Sequence, residues 1–362
     1  MSRGYNFGAG PSMLPESILQ EVGEELLDWK NLGMSVMEIG HRSPAFAELM
    51  EEAEQNLRDL IQVPDSYHVL FLSGAARAQF GMVPMNLLDA NEHAGYLVTG
   101  LWSFMAYEEA YKLKHAYCVT NGEINGFTQV PASTEWHVKE NTKYLYFTPN
   151  ETVNGLRFNR TPEFPGIPLI ADMTSCLLSE PIVVEDYGLI FAGAQKNIAN
   201  AGLTLVIIKD ELLNTIRSKD IPTMLDYRTH SSTKSTYATL PTFNCYLAAK
   251  MFRWVKAQGG VEALFKMNCK KAAKVYECID SSNFYHCKVS KEARSLVNIC
   301  FTLNDPMLET AFIEGAKARG LLALKGHRTV GGLRASMYNA MPMEGIDCLV
   351  EFMNDFAKEH EK

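Results

Sequence analysis

One aspartate and one lysine stand where two consecutive apolar segments end. The first segment, residues 167–171, runs directly into Asp172, and the second, residues 189–192, comes shortly before Lys196. The carboxyl ends of adjacent parallel strands meet at one edge of a sheet, where ligands of open α/β sheets bind. A lysine there can form a Schiff base with an aldehyde cofactor, and a carboxylate there can keep a pyridine nitrogen protonated. Singly these residues are commonly a loop lysine and a helix cap, so the prediction depends on the pair.

Arginine and histidine residues beside small residues form a second set. Residues 73–78 read Ser-Gly-Ala-Ala-Arg-Ala between a predicted strand and a predicted helix, where backbone N–H groups and the helix N-terminus favour a phosphate. Arg334 follows two glycines, and two His-Arg doublets occur at 41–42 and 327–328. Arginine can bind a carboxylate or a phosphate in bidentate fashion. Each of these residues alone could equally be a surface charge or part of an ion pair.

Apolar runs that alternate with helical patterns must position these residues. The predicted strands of the first part cover residues 68–72, 96–99, 144–148, 169–172, 189–192 and 203–208, and the predicted helices cover 15–32, 79–88 and 103–113. This βαβ alternation is typical of a mostly parallel sheet covered by helices. The second part has predicted helices at 242–257, 261–279, 306–319 and 345–360, and predicted strands at 296–302 and 332–336. We therefore predict an α/β chain with a large domain, residues 1–240, and a smaller C-terminal α+β domain, residues 241–362.

Composition narrows the class of protein. A chain of 362 residues exceeds one hydrophobic core, and 47% hydrophobic with 21% charged residues is ordinary for a globular protein. A net charge of −8 argues against general binding to nucleic acid or to anionic membranes, and no apolar run approaches the ~20 residues of a membrane span. The eight cysteines form no Cys-x-x-Cys pair, so we expect no metal site, reduced thiols and a cytoplasmic protein.

A series of short motifs, from Asn6 to the C-terminal helix, resembles the phosphoserine aminotransferase family of fold-type I pyridoxal-phosphate enzymes. The motifs in the first half of the chain are Asn6-Phe7, Gly10-Pro11, Met13-Leu14-Pro15, His41-Arg42 and Pro149-Asn150-Glu151-Thr152. Those in the second half are Gly193-Ala194-Gln195-Lys196-Asn197, Ala201-Gly202-Leu203-Thr204, Gly326-His327-Arg328, Gly331-Gly332-Leu333-Arg334-Ala335-Ser336 and Tyr338-Asn339-Ala340-Met341-Pro342. So many matches in one order are more specific than any single motif.

The resemblance implies pyridoxal 5'-phosphate as the cofactor, a homodimer, and roles for individual residues. Lys196 and Asp172 would be the catalytic pair, and the other residues expected at the cofactor are Ala76, Arg77, Trp102, Thr152 and Gln195, with Ala238 and Thr239 reaching it from the neighbouring subunit. Trp102 would stack on the ring, whereas a tryptophan of this kind is more often a core residue. The chain departs from the family pattern at Ala9, Ala75, Ala76, Ala78 and Ala238, where relatives have serine, glycine or asparagine.

The resemblance also implies small-molecule substrates, L-glutamate and 3-phosphohydroxypyruvate, in serine biosynthesis. A 4-phosphohydroxythreonine-type substrate of pyridoxine biosynthesis is a further option. Arg334 would bind the α-carboxylate, and the residues implied at the phosphate, or at the side-chain carboxylate of glutamate, are His41, Arg42, Arg77, His327 and Arg328. Both active sites of the dimer would lie at the interface between its subunits.

Other functions remain open on sequence alone. A serine–glyoxylate or alanine–glyoxylate aminotransferase shares the fold type, although the two His-Arg doublets favour a substrate with two anionic groups. A non-catalytic scaffold on the same fold is the alternative from another class, because fold alone does not imply activity. A nicotinamide dehydrogenase is disfavoured, because Gly8-Ala9-Gly10 lies too early to follow a first strand.

Overall fold

A computed structural model describes residues 3–360 of the chain. The strands within these residues are β1 Tyr5–Asn6, β2 Tyr67–Ser73, β3 His93–Val98, β4 His115–Asn121, β5 Thr142–Phe147, β6 Asn150–Glu151, β7 Leu156–Arg157, β8 Leu169–Asp172, β9 Leu189–Gly193, β10 Leu203–Lys209, β11 Tyr285–His286, β12 Asn298–Leu303, β13 Leu321–Leu322 and β14 Leu333–Ser336. The α-helices are α1 Glu16–Glu25, α2 Pro44–Ile61, α3 Gln79–Leu87, α4 Leu101–Leu113, α5 Asp210–Leu213, α6 Tyr227–Ser232, α7 Thr242–Ala257, α8 Gly260–Asp280, α9 Glu309–Ala318 and α10 Met343–His360. Among residues 3–360, no helix is both long enough and apolar enough to cross a membrane.

The central sheet has seven strands in the order β2-β10-β9-β8-β5-β3-β4. β10 runs antiparallel to both of its neighbours, and the other paired strands run parallel. The predicted α/β class with a mostly parallel sheet is therefore confirmed. β8 and β9 are adjacent and parallel, with Asp172 opposite Phe191, so the two predicted strands end at one edge of the sheet. That edge is where Asp172 and the segment leading to Lys196 leave the sheet.

The sequence analysis missed helix α2 and strand β4. Five apolar residues of α2 recur at helical spacing and are buried: Phe46, Leu49, Ala53, Leu57 and Ile61. The helix also begins with two usual signals, since Pro44 occupies its first turn and the Ser43 hydroxyl accepts a hydrogen bond from the Phe46 N–H at 3.3 Å. β4 is the edge strand beside β3. Helix α2 therefore had readable signals in the sequence.

The predicted helix over residues 15–32 was too long. α1 ends at Glu25, and a short 3-10 turn follows at Trp29–Asn31. Lys30 adopts φ 55°, a left-handed conformation that an α-helix does not contain. The chain therefore leaves the helix although apolar residues continue at helical spacing.

The small sheet β11-β12-β14 lies with α8, α9 and α10 around a second core rich in phenylalanine. The N-terminal strand β1 pairs in parallel with β13, and Phe7 is buried in this same core. Helix α7, in contrast, buries its apolar face in the core of the large sheet. The N-terminal strand of the predicted large domain thus packs at the second core, whereas α7 of the predicted small domain packs in the core of the large sheet. The division between residues 240 and 241 stays a prediction.

Candidate active site

A cavity of about 440 Å³ opens at the edge of the large sheet where β5, β8 and β9 end. Its lining includes nine of the residues that the sequence analysis assigned to the site: Ala76, Arg77, Trp102, Thr152, Asp172, Gln195, Lys196, His327 and Arg334. These residues lie at the starts of α3 and α4, at the ends of β6, β8 and β9, and on or just before β14. One cavity therefore brings together distant parts of the chain.

Lys196 lies in this cavity and is 8% exposed. Burial lowers the pKa of its amine to about 8, while the charge of Asp172 acts in the opposite direction and Arg334 lowers the pKa further. An amine with such a pKa is partly neutral near physiological pH, and the neutral form is the nucleophile that attacks a carbonyl carbon. Lys196 is therefore suited to react with an aldehyde.

Asp172 is buried at the end of β8 and faces the same cavity. Burial raises the pKa of its carboxyl group, and the hydrogen bonds from Thr174 and the charge of Lys196 oppose that effect. The main-chain N–H of Thr174 donates to Asp172 Oδ1 at 3.0 Å. The carboxylate is thus held in place by the turn that follows its strand, with its charge available to a cationic group in the cavity.

The N-terminal loop covers one side of Lys196. The Ser12 N–H donates to the carbonyl oxygen of Gln195 at 2.9 Å, and the Ser12 hydroxyl donates to the carbonyl oxygen of Lys196 at 2.5 Å. Gly10, with φ 145°, comes so close that a Cβ on it would lie 3.6 Å from the Lys196 side chain. The loop therefore fixes the backbone of the lysine and closes the cavity on that side.

The opposite end of the cavity is the turn between β2 and α3. Gly74 has φ 114°, which a residue with a side chain rarely adopts, and the 3-10 turn Ala76–Ala78 leads directly into α3. The first N–H groups of a helix have no partner inside it, so they can bind an anion. The Arg77 guanidinium lies 5.3 Å from the Trp102 ring centroid and adds a positive charge at this end. These features suit a phosphate group.

Trp102, Thr152 and Arg334 are joined by hydrogen bonds. The indole Nε1–H of Trp102 donates to Thr152 Oγ1 at 2.7 Å, and Arg334 Nη1 donates to the Thr152 carbonyl oxygen at 3.1 Å. Arg334 belongs to β14 and therefore reaches the cavity from the small sheet. His327 lies nearby, and burial together with the charges of Arg334 and Arg328 lowers the pKa of its imidazole.

Five predicted site residues do not line this cavity within one chain: His41, Arg42, Ala238, Thr239 and Arg328. The Arg42 guanidinium donates to the carbonyl oxygens of Thr236 and Tyr237 at 3.0 and 3.1 Å, so Arg42 adjoins the segment that carries Ala238 and Thr239. His41 Nε2 is buried and has no hydrogen-bond partner among residues 3–360. His41, Arg42, Ala238 and Thr239 form a second group. This group adjoins the end of β2, where the Ser73 hydroxyl donates to the Thr239 carbonyl oxygen at 3.2 Å. Arg328 is exposed on the loop before β14.

The sequence analysis gave no role to several residues at the cavity. Those that line it without a predicted role are Gly10, Phe80, Thr148, Asn150, Val153, Thr174 and Ser175. Thr174 and Ser175 lie two and three residues after Asp172, so their place after a strand end was the available signal. Asn150 Nδ2 donates to Asn298 Oδ1 and to Ser175 Oγ, both at 2.8 Å, and so joins β6 to the small sheet. No local sequence pattern indicates such a long-range contact.

The side chains of the cavity fit pyridoxal phosphate. A partly neutral amine can take the aldehyde, a buried carboxylate can face the pyridine nitrogen, and a helix start can hold the phosphate. Lys196, Asp172 and the Ala76–Ala78 turn would supply these three functions. The Trp102 indole lines the same cavity and offers a flat apolar surface, as an aromatic ring requires.

Residues 4–349 match the Aminotransferase class-V family model. The chain belongs to the class-V aminotransferase family. Membership of this family makes it a pyridoxal-phosphate-dependent transaminase, so the predicted enzyme class and cofactor are confirmed. The non-catalytic alternative loses its support.

Individual relatives are more specific than the family. The chain is 60% identical over 359 residues to a phosphoserine aminotransferase of Legionella pneumophila (strain Paris), with 99% of both chains covered. It is 46% identical to that of Nitrosomonas europaea, with 99% and 100% covered. The solved structure of phosphoserine aminotransferase from Bacillus circulans subsp. alkalophilus superposes with a TM-score of 0.96 at 39% identity, covering 99% of each chain. The resemblance that the motifs indicated is thus confirmed over the whole chain.

Proposed function

We propose that this chain transfers the amino group of L-glutamate to 3-phosphohydroxypyruvate, giving 2-oxoglutarate and O-phospho-L-serine. The observation that carries the proposal is the cavity that joins Lys196, Asp172 and Arg334 in a chain similar along its length to phosphoserine aminotransferases. Serine biosynthesis in the cytoplasm is the corresponding setting. A 4-phosphohydroxythreonine-type substrate would fit the same anion-binding residues.

Each residue contributes a separate function to this reaction. Bound pyridoxal phosphate supplies the aldehyde that accepts the amino group and the ring that withdraws electrons from the substrate Cα. Lys196 Nζ would take the proton from the substrate Cα and deliver it to the former aldehyde carbon within the same half-reaction, and it would move a proton the opposite way in the second half-reaction. Asp172 keeps the ring nitrogen protonated, and Arg334 binds the α-carboxylate that both substrates share. The depressed pKa of Lys196 suits a base that must be neutral when it acts.

The substrate phosphate requires a second set of side chains that are cationic or donate hydrogen bonds. Arg77 and His327 line the cavity, and Arg328 adjoins it on an exposed loop. We propose that His41 and Arg42 of a neighbouring subunit complete the set, with Ala238 and Thr239 at the cofactor phosphate. Three observations support a homodimer with shared sites: Arg42 adjoins residues 236–237, His41 Nε2 lacks a partner within residues 3–360, and this group lies outside the cavity of its own chain.

Phosphate discrimination tests the proposed substrate. Two or three charge-assisted hydrogen bonds to the phosphate, each about 1.5–3 kcal/mol with some loss to desolvation, give roughly 3–6 kcal/mol. The kcat/KM for 3-phosphohydroxypyruvate should then exceed that for hydroxypyruvate by about two to four powers of ten. Arg328→Ala should reduce this ratio, whereas Arg334→Ala should lower both values alike. A wild-type ratio within a few-fold of one would remove the case for a phosphorylated substrate.

Complementation tests the shared sites. The Lys196→Ala and Arg42→Ala proteins are each expected to be inactive. In a mixed dimer, one chain carries the first substitution and the other chain carries the second. Refolding the two variants together should restore part of the activity, because one site then has both an intact Lys196 and an intact Arg42. Mixed dimers that form and stay inactive would contradict sites shared between subunits.

A further inference from the structure

Glu151 is a buried carboxylate beside the cavity for which neither the sequence analysis nor the proposed reaction has a use. Its side chain is 0% exposed. Glu151 Oε2 accepts the main-chain N–H of Trp102 at 3.0 Å. Glu151 Oε1 accepts the main-chain N–H of Ser103 at 2.8 Å and the Ser103 hydroxyl at 2.6 Å. These N–H groups belong to the first turn of α4, so Glu151 caps that helix from a distant strand.

The start of α4 has space for this carboxylate because Gly100 precedes the helix. A Cβ on Gly100 would lie 2.4–2.7 Å from the carboxyl end of Glu151, closer than side-chain atoms approach one another. A serine or aspartate would usually cap a helix at such a position. The chain instead has glycine there and brings the capping oxygen atoms from β6.

The cap acts on a residue that faces the cofactor cavity. Trp102 is held at its main chain by Glu151 and at its indole Nε1–H by Thr152 Oγ1. The carbonyl oxygen of the same Thr152 accepts a hydrogen bond from the guanidinium of Arg334. Two consecutive residues therefore hold both the ring-stacking tryptophan and the carboxylate-binding arginine.

We propose that Glu151 is a positioning residue that holds Trp102 against the cofactor ring by anchoring the first turn of α4. The inference rests on the proposed function, in which Trp102 meets the ring of pyridoxal phosphate. Burial raises the pKa of the Glu151 carboxyl group to about 7, so above that pH the group is ionised, only accepts hydrogen bonds, and can satisfy both N–H groups and the hydroxyl at once. A glutamine would turn its NH2 group toward one of these donors and lose that contact.

Cofactor binding measures this role independently of turnover. At about pH 8.5, Glu151→Gln should weaken pyridoxal phosphate binding to the apoenzyme about two- to tenfold, because a loosened Trp102 must then be ordered when the cofactor binds. It should also lower the visible circular dichroism per bound cofactor, because that signal reports how the ring is held. Glu180→Gln is the matched control, since Glu180 is a part-buried carboxylate paired with Arg157 at 2.5 Å. The control should keep wild-type cofactor affinity and wild-type dichroism.

A double-mutant cycle with Trp102→Ala tests whether Glu151 acts through the tryptophan. The loss of affinity caused by Glu151→Gln should shrink in the Trp102→Ala background. If Glu151→Gln does not fold, Gly100→Ala takes its place, because the added methyl group displaces the carboxylate and should give the same loss. Wild-type affinity and dichroism in the Glu151 or Gly100 variant, or an undiminished loss in the Trp102→Ala background, would overturn the positioning role. A wild-type protein that binds no cofactor would instead overturn the proposed function.

Discussion

Substitutions of Asp172 and Arg334 should shift the pKa of Lys196 in opposite directions. Burial lowers the pKa of this amine to about 8, the charge of Asp172 raises it, and the charge of Arg334 lowers it. Asp172→Asn removes the stabilising charge, so the amine should become neutral at a lower pH. Arg334→Gln removes the repelling charge, so the amine should become neutral at a higher pH. If burial alone set the pKa of Lys196, this pKa would be the same in both variants as in the wild type.

The size of the effect follows from the pKa of the wild-type amine. The difference between the ordinary 10.5 and about 8 corresponds to about 3.4 kcal/mol favouring the neutral form. At pH 8 about half of the Lys196 amine is neutral, whereas roughly one in 300 of exposed lysine amines would be. Lys196 should therefore react with a small aldehyde about 100-fold faster than an exposed lysine at that pH, provided that the reagent enters the cavity.

Limited reductive methylation of the apoenzyme with formaldehyde measures this reactivity residue by residue. Peptide mass spectrometry between pH 6.5 and 10 gives the rate at Lys196, and Lys291, whose side chain is 78% exposed, serves as the internal control. The rate at Lys196 should reach its half-maximum near pH 8 in the wild type, below it in Asp172→Asn and above it in Arg334→Gln. A wild-type midpoint like that of Lys291, or two variants that shift the same way, would refute the electrostatic reasoning.

Three shorter predictions concern catalysis and stability. Lys196→Ala should abolish transamination while the protein still melts cooperatively, and near-normal turnover would exclude this lysine as the base. Phe312→Ala should cost about 3–5 kcal/mol in urea unfolding, because this buried ring lies 4.9 Å from the Phe352 ring, and a loss below 1 kcal/mol would mean that the core closes around the gap. Burial raises the pKa of the Glu151 carboxyl group from 4.5 to about 7. As the pH rises, this group therefore loses its proton in the unfolded chain before it does so in the folded protein. The group therefore lowers the free energy of unfolding by about 1.4 kcal/mol per pH unit between pH 4.5 and 7, and Glu151→Gln should remove that slope in urea titrations.

The sequence predicted those parts of the site whose signals are local. Asp172 and Lys196 were found because each follows an apolar strand, and the adjacency of β8 and β9 then brings them to one edge. Arg334 was found through the glycines that precede it. Helix α2 also carried local signals, with Ser43 and Pro44 before apolar residues at helical spacing, and was simply overlooked.

The remaining features depend on contacts that no local pattern specifies. Glu151 caps a helix that begins at Leu101, and its carboxylate looks in sequence like any other glutamate. α1 ends at Glu25 and the backbone is extended at Asp28 and left-handed at Lys30, which residue types alone did not indicate. His41 does not line the cavity of its own chain, so its predicted role requires a neighbouring subunit that a single sequence cannot position.

The pairing of β1 with β13 has a consequence for synthesis on the ribosome. Tyr5 lies opposite Leu321, so the first strand is made long before its partner exists. At about 5–20 residues per second, an interval of roughly 15–60 s separates the two. Until β13 has been synthesised, β1 has no partner strand to fix the start of the loop that carries Gly10 and Ser12. During that interval the loop does not cover Lys196. We therefore expect the large sheet to form during translation, while the aldehyde-reactive lysine stays open to cellular metabolites until the last part of the chain emerges.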